Sequence, residues 1–430
     1  IKREKNMEIK AFKEWVWTEG FESKLEHLYG PEQIEKQRIR FLHLLSRYQE
    51  VFPESTDFDV FSASGRIEVG GNHTDHQLGR VLAMAVDLDT VAFVRKNDDN
   101  IIRLVSKDYE IAPIDLSDLS IHEDEHYTTM GIIRGLAYYF HEIHGTVGGF
   151  DAYVESNVFS GSGLSSSASV EVLIAKILDE YYGSHKLSVS DYAIISQKTE
   201  NNYFNKPCGL MDQMVIAHGG FCAIDFYDKD HPVVKKVDAH GMFDTMDICL
   251  VQSGGSHSDL SEDYAEIFRD CKALSQYFNQ SYLSRVKFED FYQALSDLNQ
   301  KFDTRVILRG YHFFKENNRV LDLMESLNKH DLSSFLNHIL ASGNSSYHYL
   351  QNVLNPHDTK QGLALALMMA ENHLSGKGAW RVHGGGFAGT ILMFVPKQLT
   401  SELKNSFEKV FGDNSFIQIR LREDGVIRVL

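Results

Sequence analysis

The stretch Phe159–Leu173, FSGSGLSSSASVEVL, constrains this chain more than any other. Gly161 and Gly163 allow a tight turn with no Cβ in the way. Ser165, Ser166 and Ser167 then lead into Ala168, Val170, Val172, Leu173, Ile174 and Ile177, apolar residues recurring at helical intervals. A glycine–serine turn that opens a helix presents unpaired backbone N–H groups at the positive end of the helix dipole. Two readings fit. One is a cradle for phosphate oxygens, with serine hydroxyls as further donors or Mg2+ ligands; the other is a serine-capped helix after a flexible turn. Spacing removes two alternatives, since there is no third glycine for GxGxxG and no GK[ST] for a P-loop.

The rest of the chain has to supply the context. Its 430 residues are material for two or three domains. A net charge of −17 without a Lys/Arg block argues against a nucleic-acid surface. Cys208, Cys222, Cys249 and Cys271 lie far apart without a CxxC pair, so neither a zinc site nor a disulfide framework is indicated. The opening IKREKNMEIKAFKEWVW has no apolar signal core, and no later stretch has the length and apolarity of a membrane span. The expectation is a cytoplasmic monomer acting on small molecules, with neither nucleic acid nor membrane as partner.

Three segments follow from pattern. Residues 1–52 read as a helical leader, with Trp15, Phe21, Leu25 and Leu28, then Ile39, Phe41, Leu42 and Leu44, at helical intervals. Residues 53–230 form a first lobe, with strands expected at 57–62 and 81–94. Residues 231–430 form a second, with a strand at 245–252 and helices across about 262–375. Leu321, Leu323, Met324, Leu327, Phe335, Ile339, Leu363, Leu365 and Met368 are its expected core. A ligand cleft is expected between the lobes.

Polar clusters mark where that cleft lies. Ser64–Ala85 packs Arg66, Asn72, His73, Asp75 and His76 between Gly65, Gly70, Gly71 and Gly79. That is the composition of a loop approaching a polar ligand closely, or of a solvated turn. His122–His126 formally matches HExxH, yet it is acid-dense and precedes its helix, so a solvated lead-in fits better than a zinc protease. Asp212 stands among Leu210, Met211, Met214 and Val215: either a structural carboxylate or one held for proton abstraction. Gly384, Gly385 and Gly386 before a strand bring backbone very near a ligand or another loop.

Taken in order, these stretches resemble the galactokinases of the GHMP small-molecule kinase superfamily. Gly65–Ile67 through His73–Asp75 is similar to the sugar fingerprint, and GLSSSA at Gly163–Ala168 to the ATP motif. Pro207–Gln213 resembles PCGIMDQ, His257-Ser258 with Tyr264 a sugar-contacting segment, and Arg381–Gly389 the third superfamily motif. The resemblance implies an α+β fold in two lobes, the first with a mixed sheet and the second with an antiparallel sheet backed by helices. It implies phosphorylation of a sugar's anomeric hydroxyl by ATP. Asp212 would accept or orient the hydroxyl proton, and Arg66 would steady nucleophile and phosphoryl group. Gly161, Ser162, Gly163, Leu164, Ser165, Ser166 and Ser167 would cradle the nucleotide phosphates, with Ser167 and Glu200 holding Mg2+. Asn72, His73, Asp75, Gly209 and Tyr264 match sugar contacts. The chain departs from the family at Asn72 (Glu there), Glu68 (Asn), His76 (Tyr), Ser160 (Pro) and Gly343 (His). An amide at position 72 offers a donor and an acceptor but no charge. Galactose, an amino sugar, an arabinose-like sugar and a uronic acid therefore all stay open, and a silent sugar sensor is the alternative from another class.

Overall fold

The computed structural model describes residues 7–107, 109, 111–159, 163–206, 208–254, 260–387 and 389–430. Its centre is an antiparallel pair of long strands, Asp57–Gly70 and Arg80–Lys96. Alternate residues of a strand face opposite ways, and here both faces are covered. Phe61, Ala63, Val81, Ala83, Ala92 and Val94 pack on helices Thr129–His144, Ser166–Tyr182 and Val189–Asn202. On the other face, Phe58, Val60, Val91 and Phe93 meet the leader, while Ile67, Val69, Leu82 and Met84 meet the second lobe.

The first sheet runs Met7–Glu8, Asp57–Gly70, Arg80–Lys96, Phe150–Ser156, Ile101–Ser106, Ile114–Asp115. Ile101–Ser106 lies parallel to Phe150–Ser156 and the other pairs are antiparallel, so the sheet is mixed. The second sheet is antiparallel, in the order Ala379–His383, Thr390–Pro396, Met246–Gln252, Phe416–Ile419. Helices Gly362–Leu374 and Thr400–Phe411 cover one of its faces, and Thr304–Asn328 with Leu332–Ser345 covers the other. This is the two-lobed α+β architecture expected.

The lobe limits are less simple than the linear division at residue 231. Val233–Val237 pairs with Phe221–Asp225, and Ile427–Arg428 pairs with Asp57–Gly70, so both belong to the first sheet. A buried polar knot fixes that return. Asp89 accepts from the Tyr29 hydroxyl at 2.7 Å, Arg40 at 2.7 Å, Arg422 at 3.1 Å and the Ser62 hydroxyl. It thereby joins leader, sheet and the residues after 420.

The leader forms helices at Ile9–Trp15, Glu19–Tyr29 and Ile34–Val51. Phe12, Phe21, Phe41, Phe58 and Phe93 interlock there, with ring centroids 5.4 Å apart for Phe12–Phe58 and 5.1 Å for Phe58–Phe93. Each fully buried ring of this kind contributes about 1.5–3 kcal/mol. Some expected core positions face solvent instead: Ile39 is 66% exposed, Leu321 45%, Leu365 41% and Met368 54%. Each buried stripe is narrower than its apolar content; along Thr304–Asn328 it is carried by Ile307, Phe313, Phe314, Val320, Leu323 and Leu327.

Candidate active site

The strand Asp57–Gly70 is irregular at Ser64/Gly65 and Glu68/Gly70, and such bulges re-aim the side chains beside them. Gly65 is a glycine because a Cβ there would come within 3.1 Å of the Leu164 carbonyl. Next to it, the Arg66 amide donates to that carbonyl at 3.1 Å. The Arg66 guanidinium grips Asp212 in a fork, Nε to Oδ1 at 2.8 Å and Nη2 to Oδ2 at 2.6 Å, and also donates to the Gly163 carbonyl. A third group reaches the carboxylate, the Ser165 hydroxyl. Ser165 caps helix Ser166–Tyr182 with φ 60°, a left-handed conformation costly for a residue with a Cβ. Its hydroxyl serves Asp212 and not the cap, so it satisfies none of the helix's first-turn N–H groups.

These groups border a cavity of about 380 Å³ whose wall includes Ser165–Ser167, Asp75, Gly209 and Asp212. A Cβ on Gly209 would stand 2.6 Å from Asp75 Oδ2, so a larger residue there displaces that carboxylate. A larger hollow of about 1050 Å³ beside Tyr138, Tyr139 and Tyr203 contains none of the residues singled out by sequence. Volume alone does not mark the site. Gly161 and Ser162, and the His257-Ser258 pair, lie outside the described residues. The HExxH match is a short 3-10 turn at Glu123–Glu125, with His122 against Asp118 at 3.0 Å.

The triple glycine is held from the sugar-fingerprint side. Three successive carbonyls each accept a hydrogen bond from a residue matched to sugar contacts: Gly384 from Asn72 Nδ2 at 2.8 Å, Gly385 from His73 Nε2 at 3.0 Å, and Gly386 from the Tyr264 hydroxyl at 3.0 Å. Close approach explains the glycines, since a Cβ on Gly385 would lie 2.5 Å from the Tyr264 ring and one on Gly386 2.0 Å from the Asn352 carbonyl. Asn72 is fully buried. Its amide also donates to Glu68 at 2.8 Å, and its oxygen accepts from Ser346 at 3.2 Å and Asn352 at 3.0 Å. All four of its hydrogen-bonding positions are thus used within the protein. Of the residues matched to sugar contacts, Asp75, Gly209 and Asp212 line the cavity, whereas the polar end of Asn72 is spent on neighbouring loops.

Sequence reasoning passed over four side chains here. Lys206 lies in the cavity wall with Nζ 3.3 Å from Glu200 Oε1. Gln213 uses one amide group to hold both Glu200 at 3.0 Å and Glu171 at 3.1 Å. Burial, and then the charge of Glu200, push the Glu171 carboxyl well up from its usual range. His383, on the edge of the third motif, accepts from the Glu68 amide at 3.1 Å, and its Nδ1 abuts Gly163. A lone base in NKPCG and a histidine beside the glycines were the available signals.

Two buried histidines and a partly buried third impose a pH dependence. Burial holds His73 down at about 4, with His76 adding to the effect, and burial likewise lowers His312 and His383. Between the ordinary histidine range and these values the unfolded chain binds protons that the folded chain does not. Stability therefore falls as pH falls through that window. Denaturant midpoints are expected to drop between about pH 7 and about pH 5, and an unchanged midpoint would show that the imidazoles take up protons in place.

With this geometry in view, comparison with known proteins is informative. The model of the GHMP kinases N terminal domain matches residues 131–220, and that of the galactokinase galactose-binding signature matches residues 46–96. The chain has the GHMP kinase fold. A galactokinase crystallised from Lactococcus lactis with galactose has the same architecture, with TM-score 0.75 at 22% identity over 90% of this chain and 99% of that one. The Methanococcus jannaschii mevalonate kinase shares the GHMP kinase fold at TM-score 0.60 and 15% identity, covering 85% and 98%. In sequence, a galactokinase of Mannheimia succiniciproducens is 27% identical over 383 residues, 88% of this chain and 94% of that protein. The resemblance read from the motifs is borne out.

Proposed function

We propose that the protein is an ATP-dependent sugar 1-kinase that converts galactose and ATP to galactose 1-phosphate and ADP. The observation carrying this reading is that Asp212, gripped from behind by Arg66, shares one cavity wall with the Ser165–Ser167 turn. The sugar's C1 oxygen attacks the γ-phosphorus, its proton passes to Asp212, and the bond from γ-phosphorus to the bridging oxygen breaks with the electron pair leaving on ADP. Arg66 keeps Asp212 aimed, and the turn's N–H groups bind phosphate oxygens. Galactose as the acceptor is supported by the signature match over residues 46–96. With Asn72 engaged internally, recognition rests on Asp75, the Gly209 backbone and Asp212.

Ser167 and Glu200 stand in the same wall and suit Mg2+, which takes few protein oxygens when it arrives on a nucleotide. Among the described residues no cluster of three His, Cys, Asp or Glu would hold a metal ion unaided. Mg2+ bound there would neutralise phosphate charge. The reading includes a cytoplasmic monomer, in keeping with four unpaired cysteines; no described helix is long and apolar enough to cross a membrane.

ADP release with MgATP, followed across galactose, N-acetylgalactosamine, glucose, arabinose and galacturonic acid, tests the proposal. Galactose is expected to give the strongest turnover, with the 1-phosphate as product. Turnover with another sugar alone would move the specificity, and silence with every sugar in a protein that binds ATP would replace the kinase with a sensor.

A further inference from the structure

The cavity is short of positive charge. Asp75, Glu200 and Asp212 all line it, and among its described lining residues Lys206 is the only cation. Arg66 is not in that wall. Its guanidinium stands behind Asp212, engaged by both carboxylate oxygens and by the Gly163 carbonyl. A nucleoside triphosphate would add several negative charges to a hollow that already holds three carboxylates.

Lys206 is delivered there by a constructed turn. Helix Val189–Asn202 ends, Asn205 takes φ 62°, and the Lys206 amide donates to the Glu200 carbonyl at 3.0 Å. Asn201 Oδ1 accepts from the Cys208 amide at 2.8 Å, and Gln197 Nε2 donates to the Cys208 carbonyl at 3.1 Å. The ammonium is tethered to a carboxylate that cannot wander, for the Glu200 side chain is 4% exposed and its other oxygen is pinned by Gln213. The Lys206 side chain itself is 57% exposed. Balancing the buried Glu200 carboxylate takes one of the ammonium's three N–H donors, which leaves the others for the cavity that Lys206 lines.

We propose that Lys206 is a phosphate-binding residue for the nucleotide. The inference rests on the kinase reading above and adds a fixed cation of the chain's own to the Mg2+ that would arrive on the nucleotide. The ammonium contacts the terminal phosphates and offsets the charge that collects on the β-phosphate as the γ-phosphorus bond breaks. It keeps its own proton throughout: the sugar's proton goes to Asp212 and the electron pair leaves with ADP.

Calorimetric titration of AMP, ADP and AMPPNP with Mg2+, in the absence of sugar, tests it on the full chain and on Lys206→Met and Lys206→Arg. A charge-assisted hydrogen bond predicts about ten- to hundredfold weaker ADP and AMPPNP binding in Lys206→Met, with AMP nearly unaffected. In turnover, kcat is expected to fall while KM for the sugar holds, and Lys206→Arg is expected to restore most of both losses. Equal weakening of AMP and AMPPNP would reduce Lys206 to a structural role, and unchanged ADP affinity and kcat in Lys206→Met would remove it from the site; either result overturns the proposal. Failure of the unsubstituted protein to bind any adenine nucleotide would overturn the kinase reading and this inference together, and that outcome is visible before any substitution is made.

Discussion

Asp212→Asn is expected to lower kcat by about 10²–10⁴, the usual weight of a positioned base, with a folded protein and little change in nucleotide affinity. The carboxylate is the meeting point of three donors: two arms of Arg66 and the Ser165 hydroxyl. An amide keeps the shape but presents one oxygen where two were used, and it cannot take the proton of the sugar hydroxyl. The fold tolerates the change because the Asp212 side chain is 31% exposed and Arg66 retains the Gly163 carbonyl. Steady-state kinetics beside circular dichroism would check this. Activity within about tenfold of the unsubstituted protein would mean that neither the charge nor the basicity of Asp212 is needed and that it holds the hydroxyl by hydrogen bonding alone.

The second large effect falls on stability. Arg381 is fully buried, and its guanidinium donates to Glu68 at 2.9 Å and to the carbonyls of Val69 at 2.8 Å and Val382 at 2.9 Å. Burial pushes the Glu68 carboxyl up, and Arg381 offsets that only in part, so it stays above the usual carboxylate range. Glu68→Gln leaves a cation in the interior without its counter-charge, at a cost of about 3–5 kcal/mol. That is a large share of the stability of an ordinary domain. Replacing both partners, Glu68→Gln with Arg381→Met, is expected to recover much of the loss, because two neutral groups need no compensation. Urea denaturation of the three variants measures this. A loss under about 1 kcal/mol for Glu68→Gln alone would show that water or a local shift neutralises Arg381. Glu68 also positions the Asn72 amide that holds Gly384, so KM for the sugar is expected to rise in the single variant.

Local signals carried the site's outline. Glycine, serine and acidic residues in three separate stretches pointed to one cleft, and the structure brings Arg66 and Asp212 into contact across 146 residues of chain. The strands at 57–70 and 80–96 were legible from their apolar runs, although their length was not, because bulges interrupt the alternation without ending the pairing. What stayed hidden depends on partners distant in sequence. A lysine in a loop looks like any solvated lysine until Glu200 and Gln213 are seen to frame it. Asn72 looks like a ligand group until four partners from three other segments are found on it. The exposed Leu321, Leu365 and Met368 show the converse, since an apolar residue off the buried stripe carries no local mark of being outside.

The return of residues 420–430 to the first sheet bears on how the protein is made. Domains generally fold as units while synthesis proceeds. Here the Asp89 carboxylate lacks Arg422, and the strand Asp57–Gly70 lacks Ile427–Arg428, until the second lobe has been translated. A ribosome releasing this chain therefore carries an unfinished first lobe through synthesis of the entire second one. A polypeptide lacking residues 412–430 is expected to lose strand Phe416–Ile419 from the second lobe and the last contacts of the first lobe together.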